Sequence, residues 1–143
     1  MVYDNENTIA TSNANVVNLT TEHISQMVAL TKLTNPGPFA QRTIEFGHYC
    51  GVFDGDKLVA MAGQRLHAGN FTEVSAVCTH PDYLGRGYAR AILIHQVNRM
   101  LASGNTPYLH VREDNARAIN VYEAIGFKIR RKVIFYVLQN EPY

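Results

Sequence analysis

The most informative part of the sequence reads Val77-Cys78-Thr79-His80-Pro81-Asp82-Tyr83-Leu84-Gly85-Arg86-Gly87-Tyr88-Ala89-Arg90. Its apolar start predicts a strand that Pro81 ends, and a Gly-x-Gly turn then leads directly into a helix. The unpaired N–H groups at a helix N-terminus, with the positive end of the helix dipole, bind phosphate. Gly85 and Gly87 would let the backbone curl and approach an anion closely. The stretch therefore predicts a phosphate-binding loop between a strand and a helix.

Two common phosphate loops do not match this stretch. A Walker loop needs a Gly-Lys-Ser/Thr end, and the sequence contains no Lys-Ser or Lys-Thr pair. A dinucleotide-binding fingerprint needs a third glycine where this sequence has Arg90. A lone Gly-x-Gly also occurs in ordinary turns. By itself, the motif leaves a phosphate loop and a plain turn equally open.

Length and composition indicate one globular domain. The chain has 143 residues, of which 46% are hydrophobic, and a net charge of +1. So small a charge argues against a general nucleic-acid or anionic-membrane binder, and the sequence contains no apolar run long enough to span a membrane. The N-terminus is polar and acidic and does not resemble a signal peptide, so we expect a cytoplasmic protein.

The two cysteines, Cys50 and Cys78, both lie in apolar, strand-like runs. We expect them to be buried free thiols in a reducing compartment. Cys78 could also act as a nucleophile, but no base neighbours it in the sequence, and a structural role is favoured. No His, Cys, Asp or Glu spacing in the sequence resembles a metal site, and we expect none.

Periodicity along the chain predicts the order β-α-α-β-β-β-α-β-α-β. Residues 1–14 are polar and are expected to be loose, and residues 15–143 to form a single domain. The predicted strands cover residues 16–19, 48–53, 57–66, 71–79, 108–111 and 128–138, and the predicted helices begin near residues 20, 39, 89 and 115. Because the early strands form hairpins and helices separate the later ones, we expect a mixed sheet covered by helices, an α/β (α+β) domain.

A second constellation lies in Asn115-Ala116-Arg117-Ala118-Ile119-Asn120-Val121-Tyr122-Glu123-Ala124-Ile125-Gly126-Phe127. Asn115, Ala118 and Tyr122 are spaced by three and four residues and share one helical face. Together the two stretches resemble the GNAT superfamily of N-acetyltransferases. The first is similar to its pyrophosphate motif Gln/Arg-x-x-Gly-x-Gly/Ala, and the second to its Asn-x-x-Ala-x-x-x-Tyr helix followed by Gly-Phe. Leu84 departs from the Gln or Arg that is usual at the first marked position.

The resemblance implies a mostly antiparallel sheet of six to seven strands, about four helices, and acetyl-CoA as co-substrate. The pantetheine arm would lie between the strand that ends near Thr79 and the strand at residues 108–111. Asn115 would bind the pantetheine amide, and Ala118 would leave space for the cofactor. An N-cap role for Asn115 and ordinary packing of Ala118 are the alternatives. The implied cofactor-binding residues are Val77, Cys78, Thr79, Leu84, Gly85, Arg86, Gly87, Tyr88, Ala89, Arg90, Asn115, Ala118 and Tyr122.

Catalytic roles are also implied by the resemblance. Tyr122 would be the general acid that protonates the leaving thiolate, and its alternative is a core tyrosine bound to a backbone carbonyl. Glu73 would be the general base through a water, because only about one in 10³ of lysine-like amines is neutral at pH 7. An exposed carboxylate at a strand end is equally open for Glu73. His67, His80 and His110 are rival bases, with His80 favoured as structural and His110 lying beside the cofactor wedge.

The acceptor amine is not identified by the sequence. The resemblance places its pocket at the loop between the first two helices, the strand that carries Glu73 and the last strand. This nominates the segment Pro36-Gly37-Pro38 and the residues Phe39, Arg42, Tyr49, His67 and Tyr136. Arg42 could pair with a substrate carboxylate. The alternative function is a domain that binds acyl-CoA or docks a partner without turnover, and the long last strand could pair across a homodimer.

Overall fold

The computed structural model describes residues 1–136 and 138, which fold around one mixed sheet. Its five strands lie in sequence order, and every pair is antiparallel except the parallel pair β4–β5. They are β1 (Val17–Asn18), β2 (Cys50–Asp54), β3 (Lys57–Ala68), β4 (Phe71–Thr79) and β5 (Thr106–Tyr108). The helices are α1 (Ile24–Thr34), α2 (Tyr88–Ala102) and α3 (Ala116–Ile125). The mixed, mostly antiparallel α/β class is confirmed, with slightly fewer strands and helices than expected.

Two tight hairpins build the antiparallel half of the sheet. Gly55 and Gly69 begin two-residue turns with positive φ values of 58° and 59°. Such a conformation matches the twist of the flanking strands and favours glycine. β3 is the central strand, and its residues 58–64 are buried without alternation. Helices cover both faces, because α1 packs Met27 and Leu30 on one side and α2 packs Ile92 on the other.

The helix predicted to begin near residue 39 is shorter than expected. It is a single 3₁₀ turn over Thr43–Phe46 that Gly47 ends. Two prolines, Pro36 and Pro38, precede it and disfavour right-handed helical backbone at the residues before them, where Asn35 has φ of 51° and Gly37 has φ of 134°. The chain between α1 and β2 is therefore a loop with one turn.

β4 and β5 diverge after a short parallel contact. Only Phe71, Thr72 and Glu73 of β4 pair with β5. Further along β4, the register against β3 shifts by one residue, and Ala76 has a positive φ of 54°. A non-glycine residue in this region marks a β-bulge, which bends the strand and leaves a residue out of the ladder. Beyond the bulge, the β5 side of β4 has no strand beside it in the described structure.

The N-terminal segment differs from the loose chain expected for residues 1–14. Val2 bridges Tyr108 on one side and Lys128 on the other. Tyr3 is buried beneath Phe127, and the N–H and C=O of Ile9 both bond to the side chain of Asn98. The first residues are therefore inserted in the sheet beside β5, because their backbone groups complete two ladders at once.

The strand predicted over residues 128–138 is wrong for residues 129–136 and 138, and residue 137 lies outside the described part. Only Lys128 joins the sheet, through reciprocal hydrogen bonds of 2.8 and 2.9 Å with Val2. In that antiparallel register, residue 129 lies opposite Met1, and no described residue follows to pair with residues 130–136. A strand needs a neighbour to satisfy its backbone groups, so strand propensity alone cannot make one.

Candidate active site

The predicted phosphate loop has the geometry of an anion site. Gly85 and Gly87 adopt positive φ values of 77° and 80°, and Gly87 is the N-cap of α2. In this helix, the first backbone N–H that has a hydrogen-bond partner is that of Ala91, which donates to the carbonyl of Gly87. The N–H groups of residues 85–90 donate to no other described residue. These donors and the helix dipole together favour a bound phosphate.

Basic side chains surround an aromatic ring at the entrance of this loop. The guanidinium of Arg86 lies 4.6 Å from the ring centre of Tyr83, and the ammonium of Lys57 lies 5.4 Å from it. The hydroxyl of Tyr83 donates a 2.6 Å hydrogen bond to Asp54, which raises the pKa of Tyr83. Cation–π contacts hold the two positive charges near the loop. Leu84 makes no polar contact and is exposed, so positive charge here comes from its neighbours.

The diverging strands present Val77, Cys78 and Thr79 beside the loop. Burial raises the pKa of the Cys78 thiol to about 11, with desolvation as the main cause. Burial likewise raises the pKa of Cys50 to about 12. Both thiols are protonated at neutral pH, and a nucleophilic Cys78 lacks the thiolate that it would need. The backbone of residues 77–79 and the hydroxyl of Thr79 are the groups here that can form hydrogen bonds to a ligand.

Helix α3 places Asn115, Ala118 and Tyr122 along one face. Asn115 is the N-cap, and its side-chain oxygen accepts the N–H of Ala118 at 3.1 Å. Tyr122 is buried, and desolvation raises its pKa to about 12. No described residue accepts a hydrogen bond from its hydroxyl, so the alternative of a core tyrosine bound to a carbonyl is not what the structure shows. The Tyr122 hydroxyl, which is protonated at neutral pH, can therefore donate a hydrogen bond to a bound ligand.

An ionic cluster occupies the opposite end of β4. Glu73 is 2% exposed, and Arg65 donates two hydrogen bonds to it, 2.7 and 3.0 Å long. The Nδ1 atom of His110 lies 2.8 Å from the same carboxylate. A carboxylate oxygen accepts, so Nδ1 of His110 is the donor in this contact, and Nε2 is the ring nitrogen that the contact leaves unused. The cluster holds a one-third-exposed imidazole in a fixed orientation.

Glu73 itself is placed poorly for taking a proton from a substrate. Both of its carboxylate oxygens already accept hydrogen bonds from Arg65, and water has almost no access to them. The exposed strand-end alternative also does not describe this residue. His110 has the free nitrogen and the exposure that Glu73 lacks.

The residues nominated for the acceptor pocket do not form one surface. Tyr49 is 2% exposed and lies against the backbone of Gly63, where an added Cβ would be 2.3 Å from the ring. The ring of Phe39 packs edge-on against Tyr49 at 5.6 Å. Arg42 pairs with Glu45 at 2.9 Å, so its carboxylate partner belongs to the chain. Burial raises the pKa of Tyr49 to about 12.

The remaining candidates have local roles or stand apart. His67 lies 3.2 Å from the hydroxyl of Thr72, and the Nδ1 atom of His80 accepts the N–H of Asp82 at 3.1 Å. The second contact makes His80 the cap of a 3₁₀ turn, as its position before a proline suggested. Tyr136 is 82% exposed.

Two residues of the cluster were missed by the sequence reasoning. Arg65 is one, and a charged side chain within an apolar strand was the available signal. A register shift in β3 between Gln64 and His67 changes the pairing that begins at the Gly69 turn, and it brings Arg65 beside Glu73. Tyr108 is the other, with its ring edge-on to His110 at 5.8 Å. Aromatic residues in strands are common, and nothing in the sequence distinguished this one.

Two further findings concern the described residues as a set. No group of three or more His, Cys, Asp or Glu side chains among them is arranged to hold a metal ion. None of the helices that the structure describes has the length and apolar character needed to cross a membrane.

A phosphate-type loop at the start of a helix, beside two diverging parallel strands, defines the GNAT class of fold. The family model described as FR47-like protein matches residues 49–136. The chain belongs to this family.

Relatives and solved structures agree with that assignment. An N-alpha-acetyltransferase RimI of Mycobacterium tuberculosis is 38% identical over 84 residues, covering 57% of this chain and 52% of that protein. A GNAT-family acetyltransferase structure from Novosphingobium aromaticivorans has a TM-score of 0.85 and 39% identity, covering 91% of this chain and 58% of that one. An aminoglycoside N-acetyltransferase in complex with CoA shares the fold, with a TM-score of 0.69, 16% identity, and coverage of 87% of this chain and 99% of that one. The chain spans between about a quarter and about half the length of the curated relatives matched first.

Proposed function

We propose that this chain binds acetyl-CoA and transfers its acetyl group to an amine by direct attack in a ternary complex. The free N–H groups of residues 85–90 at the start of α2 are the observation that carries the proposal. They suit a pyrophosphate. The open edge of β4 beyond Glu73 suits a pantetheine arm that pairs like an added strand. The CoA bound to the aminoglycoside acetyltransferase of the same fold supports this assignment.

The proton of the attacking ammonium passes to His110 in this proposal. Its Nδ1 donates to Glu73, which stabilises the imidazolium once Nε2 has accepted a proton. Glu73 is then a positioning residue, and Arg65 fixes the carboxylate through two bonds. This corrects the role expected for Glu73 and keeps that residue in the mechanism.

The amine nitrogen forms a bond to the thioester carbon, and the negative charge moves to the thioester oxygen. We place the backbone N–H groups of the β4 bulge at Ala76 near that oxygen, because the bulge turns groups out of the ladder. The C–S bond then breaks, and the hydroxyl of Tyr122 protonates the departing thiolate to give the CoA thiol. Tyr122 recovers a proton from the nitrogen, which becomes the amide N–H. With a pKa of about 12, this hydroxyl is protonated throughout the neutral range.

Isothermal titration with acetyl-CoA tests the cofactor half of the proposal. Gly87→Asp strains a position with φ of 80° and adds a negative charge at the anion site. Gly104→Asp is its matched control, because Gly104 has φ of 74° and open space around it but follows the opposite end of α2. We expect binding to be lost in Gly87→Asp and kept in Gly104→Asp. Equal binding by both variants would remove the loop from the cofactor site.

The alternative is a domain that binds acyl-CoA without turnover. This alternative is motivated by the relatives, because this chain spans only part of their length and their further residues could complete a site. A panel of amines in an assay for free CoA thiol separates the two functions. Release of CoA that depends on an added amine supports transfer, whereas tight binding with no release across the panel supports the binding domain.

A further inference from the structure

A groove of about 420 Å³ opens beside His110 at the end of β4 that is farthest from the phosphate loop. Phe71, Tyr108 and Val133 contribute apolar walls, and Arg130 and Arg131 line it as well. This volume lies in the range of small-molecule sites. The groove also contains the imidazole to which the proposed function assigns the proton of the amine.

The direction of the cofactor makes this groove the entrance for the acceptor. In the proposed complex, the pantetheine arm runs along residues 77–79 from the loop at residues 85–90. Its thioester end then points along β4 toward the bulge at Ala76. The cofactor occupies one end of the strand, so the amine must approach from the other end. The groove lies at that end. It is lined by Phe71, the first residue of β4, and by Tyr108, the last residue of β5.

The charged side chains that line the groove are positive, and none of them has a carboxylate partner among the described residues. The guanidinium of Arg130 lies 5.7 Å from the ring centre of Phe71. Neither Arg130 nor Arg131 forms an ion pair with another described residue, and no carboxylate lines the groove in that part of the chain. Lys132 in the same segment is different, because it pairs with Glu113 at 2.9 Å. Two unpaired guanidinium groups above an apolar surface favour a ligand that is both apolar and anionic.

A larger groove of about 790 Å³, which shares Val2, Phe71 and Arg130 with the first, is lined by residues of both charges. It contains Asp4 and Glu6, and its Lys128 already pairs with Asp4 at 3.2 Å. An anionic ligand would meet carboxylates there. The smaller groove is therefore the better anion site.

We propose that the acceptor is an apolar amino acid, a small amine that carries a carboxylate. The inference rests on the proposed acetyl transfer. The carboxylate meets Arg130 and Arg131, the apolar side chain contacts Phe71 and Val133, and the α-amine faces Nε2 of His110. The amine nitrogen forms the amide bond as the C–S bond breaks. One of its two surplus protons goes to His110 and the other ends on the departing sulfur, so the products are an N-acetyl amino acid and the CoA thiol.

Binding of product analogues tests this assignment without requiring turnover. N-Acetylphenylalanine and its primary amide differ only at the carboxylate, and neither has a titrating amine. Isothermal titration of each, with and without saturating CoA, measures the preference directly. We expect the acid to bind about 10- to 100-fold more tightly than the amide, as a charge-assisted contact implies. The preference should fall toward one in a double variant carrying Arg130→Gln and Arg131→Gln, and remain in Lys132→Gln.

Each outcome has a distinct meaning. Equal binding of acid and amide, or binding of neither, overturns the amino-acid assignment. Turnover of a peptide with N-terminal phenylalanine in preference to the free amino acid also overturns it, because that amine has no carboxylate beside it. A carboxylate preference that depends on the two arginines, in a protein that neither binds acetyl-CoA nor releases CoA, would keep this site and reject the proposed transfer.

Discussion

The guanidinium of Arg65 and the carboxylate of Glu73 form a two-point ion pair across the β3–β4 hairpin, with N–O distances of 2.7 and 3.0 Å. Glu73 is 2% exposed, so the pair holds a negative charge inside the protein. Removing one partner from a buried pair leaves a charge without compensation and costs about 3–5 kcal/mol. The pair also determines which charge His110 faces, because the same carboxylate accepts from its ring. The Arg65–Glu73 contact therefore contributes both to the stability of the fold and to the proposed reaction.

Replacing Arg65 should lower the rate of the proposed reaction. Arg65→Gln removes the two-point contact that fixes the Glu73 carboxylate, so the His110 ring that donates to this carboxylate loses its fixed orientation. We expect kcat/KM to fall about 10- to 100-fold while the affinity for acetyl-CoA is kept. Arg65→Lys keeps the charge without the two-point contact and should restore part of the rate. An unchanged kcat/KM in Arg65→Gln would show that this contact does not position His110 for the reaction.

Replacing Tyr122 tests the proposed acid. Tyr122→Phe removes only a hydroxyl that bonds to no other described residue, so the fold should be retained. We expect kcat to fall about 10²- to 10⁴-fold, as for other general acids, with acetyl-CoA affinity nearly unchanged. Stopped assays of product and a CoA titration measure the two quantities. Wild-type kcat in this variant would remove Tyr122 from the chemistry.

A buried amide joins α2 to the sheet. Gln96 is fully buried, and its side-chain N–H₂ group lies 2.6 Å from the carbonyl of His48 and 3.2 Å from that of Ala62. Its oxygen accepts from Gln64 at 3.1 Å. Gln96→Leu leaves these groups unpaired and should lower the free energy of unfolding by about 1–3 kcal/mol.

Urea unfolding followed by circular dichroism measures that loss. Gln41→Leu, at an exposed position, is the control and should change stability by less than about 0.5 kcal/mol. Equal stability of the Gln96 and Gln41 variants would show that the buried network contributes nothing net.

Two histidines should make the fold less stable in mild acid. Burial lowers the pKa of His48 and of His95 below the ordinary value, with repulsion by Arg99 as a second cause for each. As the pH falls through about 6.5, the unfolded chain binds these protons before the folded protein does. Stability is therefore full above that pH and declines below it, until the folded protein is protonated too.

Unfolding free energies at pH 7.5 and pH 5.5 provide the measurement. The wild type should be less stable at the lower pH, and His95→Leu should show a smaller difference between the two. A pH dependence that His95→Leu leaves intact would assign the effect to other groups.

Local sequence signals predicted the turns, caps and helix faces of the candidate site. The glycines of the loop, the Asn115 cap and the buried face that carries Tyr122 all follow from spacings of a few residues. The hairpins follow from two-residue turns at Gly55 and Gly69. In each case the information lies within one element or one turn.

The acceptor end could not be predicted in the same way. The pairing of Glu73 with Arg65 and His110 joins three strands or strand ends, and it depends on a register that a one-residue bulge shifts. A second irregularity, the bulge at Ala76, lies further along β4 at the proposed cofactor wedge. The sequence gives no signal for the bulge at Ala76, because a positive φ is usually marked by glycine and this residue is alanine.

The sequence by itself determined the class of fold, the phosphate loop and the helix that carries Tyr122, because turn residues and hydrophobic periodicity act over short distances. Only the tertiary structure decided which groups Glu73 and His110 contact, and whether residues 129–136 form a strand. The first depends on side chains from separate strands meeting in a buried space. The second depends on Val2, more than a hundred residues away, pairing beside Lys128 and leaving residues 130–136 with no described backbone neighbour.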